Sequence, residues 1–231
     1  MNVILLKHTD DPQQTVALAA RLCYSASDIG SLAERMSDDD SASFLAKILS
    51  LGHHSVLEHV SYTFGIEGIS RACSHQLVRH RLASYSQQSQ RYVTVTGERL
   101  PVVTPPTIAA DPDCTRIFQQ GIDGAFAAYR QLVDRGIPAE DARFVLPNAA
   151  ETRLIVTMNA RELRHFFTLR CCERAQWEIR ELATRMLSLV RPTAPVIFAD
   201  AGPGCVTGPC PEGSMSCGKG GDIRKKFREM A

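Results

Sequence analysis

Apolar positions along the chain fall into two periods. Residues 2–6 (NVILL) read as a short buried strand. VSYTFGIEG at 60–68 alternates Tyr62, Phe64 and Ile66 with small or polar residues, as a half-buried strand does. ETRLIVTMN at 151–159 alternates in the same way. Between these runs the spacing is helical. PQQTVALAARLCY at 12–24 reads as an amphipathic helix. In SFLAKILSLG the side chains of Leu45, Ile48 and Leu49 share a face, with the acidic cluster Asp38, Asp39 and Asp40 suited to cap it and Gly52 to close it. A further helix is expected from about Ser70 into Arg79-His80-Arg81, with Leu77 and Val78 among its apolar positions. Another runs from about Asp113 to Arg135, closed by Gly136, and a short one follows Pro138. The longest starts at Asn159, where Asn-Ala-Arg-Glu reads as a capping box, and is expected to run to about Val190 and stop near Pro192. A helix of ~30 residues would be ~45 Å long. One small domain cannot cover that length, so part of it is expected to pack against another subunit.

After Pro195 the composition changes to a stretch dense in Gly, Pro and Cys. Residues 1–195 are therefore expected to form one domain and 196–231 an irregular tail of it. The 231 residues suffice for a large core, and a formal charge of +1 argues against bulk nucleic-acid binding. The N-terminus lacks the pattern of a signal peptide, and no stretch approaches the ~20 apolar residues of a spanning helix. The expectation is a soluble, cytoplasmic chain. Eight scattered cysteines do not read as a secreted disulfide framework.

The basic residues change the picture. Arginine makes up 21 of 26, and no lysine occurs between Lys47 and Lys219. Genomic base composition could produce this bias. Arginine is also the side chain that holds phosphate or carboxylate through a planar fork while stacking on rings. In RHRLASYSQQSQRY at 79–92, a helix end would deliver two guanidiniums and an imidazole into a loop, Ser84 to Arg91, of hydroxyls and amides. Such a loop makes poor core but holds phosphate and a hydrogen-bonding base well; the plainer alternative is a solvated polar turn. His53, His54 and His59 raise the question of a metal, but a catalytic zinc needs three convergent ligands and an open position. An RNA-binding module would want aromatic platforms at regular spacing, and these are missing. Cys205, Cys210 and Cys217 in the tail leave three readings open: zinc with a fourth ligand, a disulfide, or free packed thiols. Cys171 and Cys172 read as packing residues, since neighbours point to different faces.

The run Arg79-His80-Arg81, then Ser84, Ser89 and Arg91, resembles the signature of the flavin-dependent thymidylate synthases at all six positions. The likeness extends through GHHSVLEH, Gln76 and the block 141–179, from about residue 15 to 190. It implies an α+β fold, an antiparallel sheet packed against long helices, and a homotetramer whose subunits share each site. It implies reductive methylation of dUMP to dTMP, with methylenetetrahydrofolate as one-carbon donor and NADPH-reduced FAD as hydride source. Carried over by position, His53, Ser55, Glu58, His80, Arg81, Leu82, Asn159, Arg161 and His165 would contact FAD. Gln76, Arg79, Gln87, Ser89, Gln90, Arg91, Arg143 and Arg170 would hold dUMP. Arg170 would stabilise charge developing on the base, and Ser89 beside it is expected to position more than attack, for want of a partnered base. No metal is implied. The chain departs from many members in carrying Ser86-Gln87 for Asn-Glu, His165 for an amide and Arg174 for a histidine.

Overall fold

The computed structural model describes residues 1–35 and 38–230. In chain order the main elements are β1 (Asn2–His8), α1 (Pro12–Leu22), α2 (Ile29–Glu34), α3 (Asp38–Ser50), β2 (Ser61–Ser70), α4 (Arg71–Leu77), β3 (Ala83–Gln87), α5 (Pro106–Ala109), α6 (Pro112–Asp134), α7 (Ala139–Ala142), β4 (Glu151–Asn159), α8 (Ala160–Arg170), α9 (Trp177–Val190) and α10 (Gly220–Glu229). The four strands form one antiparallel sheet in the order β1-β2-β4-β3, and the fold is α+β. By compactness the chain divides into two units. The first comprises residues 1–2, 66–79 and 86–155, and the second residues 3–65, 80–85 and 156–231, tail included.

The strand alternation is as expected: Tyr62, Phe64 and Ile66 on β2 and Leu154, Val156 and Met158 on β4 are buried. The first unit closes around Leu100, Ile122, Phe126, Tyr129, Ala142 and Ala150, with α6 supplying three of them at helical spacing. Asp111 caps α6, its carboxylate accepting from the N–H groups of Asp113 and Cys114. Gly136, at φ 80°, turns the chain out of the helix at the left-handed conformation that glycine tolerates best. Gly52 at φ 81° does the same after α3, whereas the expected cap by Asp38–Asp40 lies outside the described side chains. In the second unit α1 packs on α3 and α8 on α9, around a core that includes Phe166, Phe167 and Phe198.

Five expectations are corrected. The tail expected as irregular carries a helix, α10, whose Ile223 and Phe227 are buried. β1 is an edge strand, not a buried one: Ile4 and Leu6 are 46% and 45% exposed. α4 ends at Leu77, so Arg79 lies in a turn and the triplet is not helical. The segment expected as a loop from Ser84 pairs first as β3 through Gln87 before leaving the sheet. The long helix after Asn159 is broken into 11 and 14 residues. At Cys171 the last α8 hydrogen bond closes onto Phe167, and the Ala175 N–H turns back to Cys172. Gln176 then starts α9, its side-chain oxygen accepting from the N–H groups of Glu178 and Ile179 at 3.0 and 3.2 Å. This break lets α8 and α9 pack together. It also removes the length argument for a second subunit.

Candidate functional site

The first unit holds most of the residues expected at the nucleotide. Its clearest feature is a cavity of about 270 Å³ lined by Arg71, His75, Gln90, Arg143, Phe144, Leu146, Pro147 and Asn148. Burial lowers the pKa of Arg71, and the Arg143 charge lowers it further. An anion bound beside Arg71 would offset that cost. Arg91 comes to the same neighbourhood through one residue. Its Nε–H donates to the Glu140 carboxylate at 2.8 Å, while the Arg143 Nε–H donates to the Glu140 carbonyl at 3.1 Å. Gln90, Arg91 and Arg143 are thus brought into one neighbourhood. Arg71 and His75 were not anticipated, because nothing in the periodicity marks a cation in the first or the last turn of α4.

Ser89 and Gln90 also line a larger cavity, about 480 Å³, whose wall includes Glu67, Thr94, Thr96 and Thr152. The Ser89 hydroxyl accepts from the Arg91 N–H at 3.1 Å, which makes it a support for the arginine's backbone. Gln87 donates to Thr152 Oγ1 at 3.1 Å, leaving its carbonyl as the group able to accept from a ligand. Gln76 is half-buried on α4 and Arg79 is exposed just beyond it; neither lines these two cavities.

The second unit holds the residues expected at the flavin, and Arg170 with them. His53, Ser55, Glu58, Arg81, Leu82, Arg161 and His165 are all exposed. The segment 55–59 and the start of α8 are neighbours: the Ala160 N–H donates to the Val60 carbonyl, and Arg161 is ion-paired with Glu58. The His53 ring lies edge-on to Tyr24 at 6.5 Å. Asn159 caps α8, its carbonyl accepting from the Glu162 N–H at 2.9 Å, which leaves the amide NH₂ for a ligand. The capping box is half made, because the Glu162 carboxylate turns instead to His80. Its Oε1 accepts from His80 Nδ1 at 3.1 Å, and His80 Nε2 accepts from the Arg170 Nε–H at 3.0 Å. A donor set of two exposed arginines, imidazoles and an amide, with the 72%-exposed Leu82 offering an apolar surface, fits a diphosphate carrying flat rings.

Arg170 also lines a cavity of about 500 Å³ with Arg174, Cys172, Cys205 and Cys210. All eight cysteines are free, and among the described residues no group of three or more His, Cys, Asp or Glu is placed to hold a metal. Burial pushes the Cys171 thiol up to about 12 and the Cys205 thiol upward as well, so neither is a ready nucleophile.

An α+β sheet protein with an arginine-lined cavity in one unit and exposed arginines near a helix start in the other carries the donor groups of the class that binds phosphorylated small molecules. The family model described as "Thymidylate synthase complementing protein" matches residues 4–196, and the chain belongs to that family. Among its relatives, the flavin-dependent thymidylate synthase of Geobacter sulfurreducens is 64% identical over 231 residues, 100% of both chains. That of Clostridium tetani is 46% identical over 98% of this chain and 97% of its own. That of Pyrococcus furiosus is 44% identical over 100% and 98%. A solved structure of the UMP/dUMP methylase PolB from Streptomyces cacaoi, bound with 5-Br dUMP, superposes with a TM-score of 0.72 at 26% identity, covering 86% of this chain and 93% of that one.

Proposed function

We propose that this chain is a flavin-dependent thymidylate synthase: dUMP, methylenetetrahydrofolate, NADPH and a proton give dTMP, tetrahydrofolate and NADP⁺. The observation that carries the reading is the convergence of Arg91 and Arg143 on Glu140, beside the cavity that Arg71 shares with Arg143. It supports a phosphate site by clustering cations, in a chain whose relatives are thymidylate synthases by name. Arg143 and Arg71 take the nucleotide's phosphate, with Arg91 held alongside. Gln87 pairs with the pyrimidine through its free carbonyl, Ser89 holds the loop that presents Arg91, and Gln76, Arg79 and Gln90 complete the nucleotide set. Uracil C5 is a weak nucleophile, so the charge that builds on the ring as C5 attacks must be stabilised; Arg170 supplies that stabilisation. His53, Ser55, Glu58, Arg81, Leu82, Asn159, Arg161 and His165 hold FAD, with His80 behind them. When bound, FAD supplies the hydride that completes the methyl group, drawn from NADPH.

Residues 1–195 form the synthase domain and 196–231 its tail, in a cytoplasmic homotetramer whose subunits share each site. Among the described residues no helix is long and apolar enough to cross a membrane, which is compatible with that placement. The test is a visible absorption spectrum of the purified protein, with FAD added if it is colourless, followed by NADPH oxidation with and without dUMP. The reading expects a bound flavin and faster oxidation with dUMP present. A protein that takes up no FAD and oxidises no NADPH overturns it.

A further inference from the structure

We propose that Glu162 is the positioning residue for Arg170, acting through the His80 imidazole, which is a strut between them. The inference rests on the reading of Arg170 as the side chain that meets the pyrimidine. Glu162 and Arg170 lie near opposite ends of α8, eight residues apart. At 1.5 Å per residue their backbones are separated by ~12 Å along the axis. The gap is filled from outside the helix: His80 Nδ1 lies 3.1 Å from Glu162 Oε1, and His80 Nε2 lies 3.0 Å from Arg170 Nε.

The chemistry of the two ends allows one arrangement only. An arginine can donate but never accept, so Nε2 must be bare; a carboxylate accepts, so Nδ1 must carry the proton. Both ends select the same neutral tautomer. His80 and Glu162 are each 5% exposed, so water is a poor substitute for either partner. The ring is held in place as well: Phe166 packs edge-on at 4.9 Å, and the Tyr85 hydroxyl donates to the His80 carbonyl at 2.9 Å. With Nε committed to His80, the plane of the Arg170 guanidinium is fixed, and its two terminal amino groups are the donors left for a ligand. A charge stabiliser held before the reaction needs no reorganisation during it. His80 was expected at the flavin. Its two ring nitrogens are both spent inside the chain, which places the ring behind the ligand-facing surface.

Four titratable or charged groups face the ring or its backbone: Glu162 and Arg170 from α8, His165 with its ring centroid 6.1 Å away, and Tyr85 from β3. Burial, then the charges of Arg170 and His165, lower the His80 pKa, while Glu162 raises it. The ring therefore stays neutral, with Nε2 open to Arg170, until the medium is acidic. Protonation there puts an N–H against the guanidinium and pushes it away.

The test uses the FAD-loaded protein and two variants. Glu162→Met keeps the volume and removes the acceptor. It should bind FAD as the parent does, with dUMP KM within about threefold, yet lose about 10- to 100-fold in kcat for dTMP formation, the usual size of a lost orienting partner. Glu162→Gln keeps an acceptor and should stay within about threefold at neutral pH. Because the charge that raised the His80 pKa is gone, the acid limb of its kcat profile should move to lower pH. In the parent, ¹⁵N spectra of labelled histidine should show His80 protonated at Nδ1 and bare at Nε2, a readout that needs no variant. A His80 proton on Nε2, a Glu162→Met kcat equal to the parent's, or an unmoved acid limb in Glu162→Gln overturns the proposal. A parent that forms no dTMP at all refutes the functional reading instead.

Discussion

Arg143 and Arg91 differ in what already holds them. Arg143 is half-buried and anchored through Nε to a backbone carbonyl, so its terminal nitrogens stay available to a phosphate. Arg91 is exposed, with a carboxylate on its Nε and the Tyr92 ring 5.4 Å from its guanidinium carbon. An exposed ion pair of this kind contributes little to stability; what it does is orient the Arg91 fork. Lysine cannot reproduce a two-point fork. Arg143→Lys should therefore weaken dUMP by about 10-fold, or ~1.4 kcal/mol, and Arg91→Lys by somewhat less, with deoxyuridine almost unaffected. Isothermal titration with nucleotide and nucleoside checks this; equal losses for both ligands would show that these arginines do not read the phosphate.

At the scale of elements, what was legible depended on whether periodicity or capping chemistry marked the chain. β4 matches its expected bounds, and α6 starts and stops within a residue of them, because alternation and the Gly136 boundary are local signals. The turn between α8 and α9 has no Gly or Pro, and its start signal is Gln176, outside the usual Ser, Thr, Asp and Asn caps. Removing that cap should cost about 1 kcal/mol: Gln176→Ala is expected to lower the denaturation midpoint while leaving FAD binding intact. An unchanged midpoint would mean that tertiary packing alone sets the turn. The first turn of α8 misled for a related reason. Asn159 to Glu162 has the spacing of a capping box, and only the fold shows that Glu162 serves His80 instead. Arg71 was hidden too, since a cation at a helix start carries no periodic signature.

For the whole molecule, the residues expected at the nucleotide fall in the first unit, apart from Arg170, and those expected at the flavin fall in the second. With the long-helix argument gone, the proposed shared-site tetramer is supported by large exposed side chains such as Tyr92 at 80% and Phe144 at 83%. If subunits share each site, Arg79→Ala and Arg170→Ala subunits should regain activity when mixed and co-refolded. Mixed tetramers no more active than their parents would place both residues in one chain's site. Whether this chain methylates dUMP with hydride drawn through a flavin is decided by the fate of the folate. When NADPH is the reductant, the folate leaves as tetrahydrofolate; when the folate itself is the reductant, it leaves as dihydrofolate. Quantifying nucleotide, folate and NADPH together in the FAD-loaded reaction should give one dTMP and one tetrahydrofolate for each NADPH consumed above the dUMP-free rate. Formation of dihydrofolate, or NADPH oxidation without dTMP, would rule out hydride transfer from NADPH to the new methyl group.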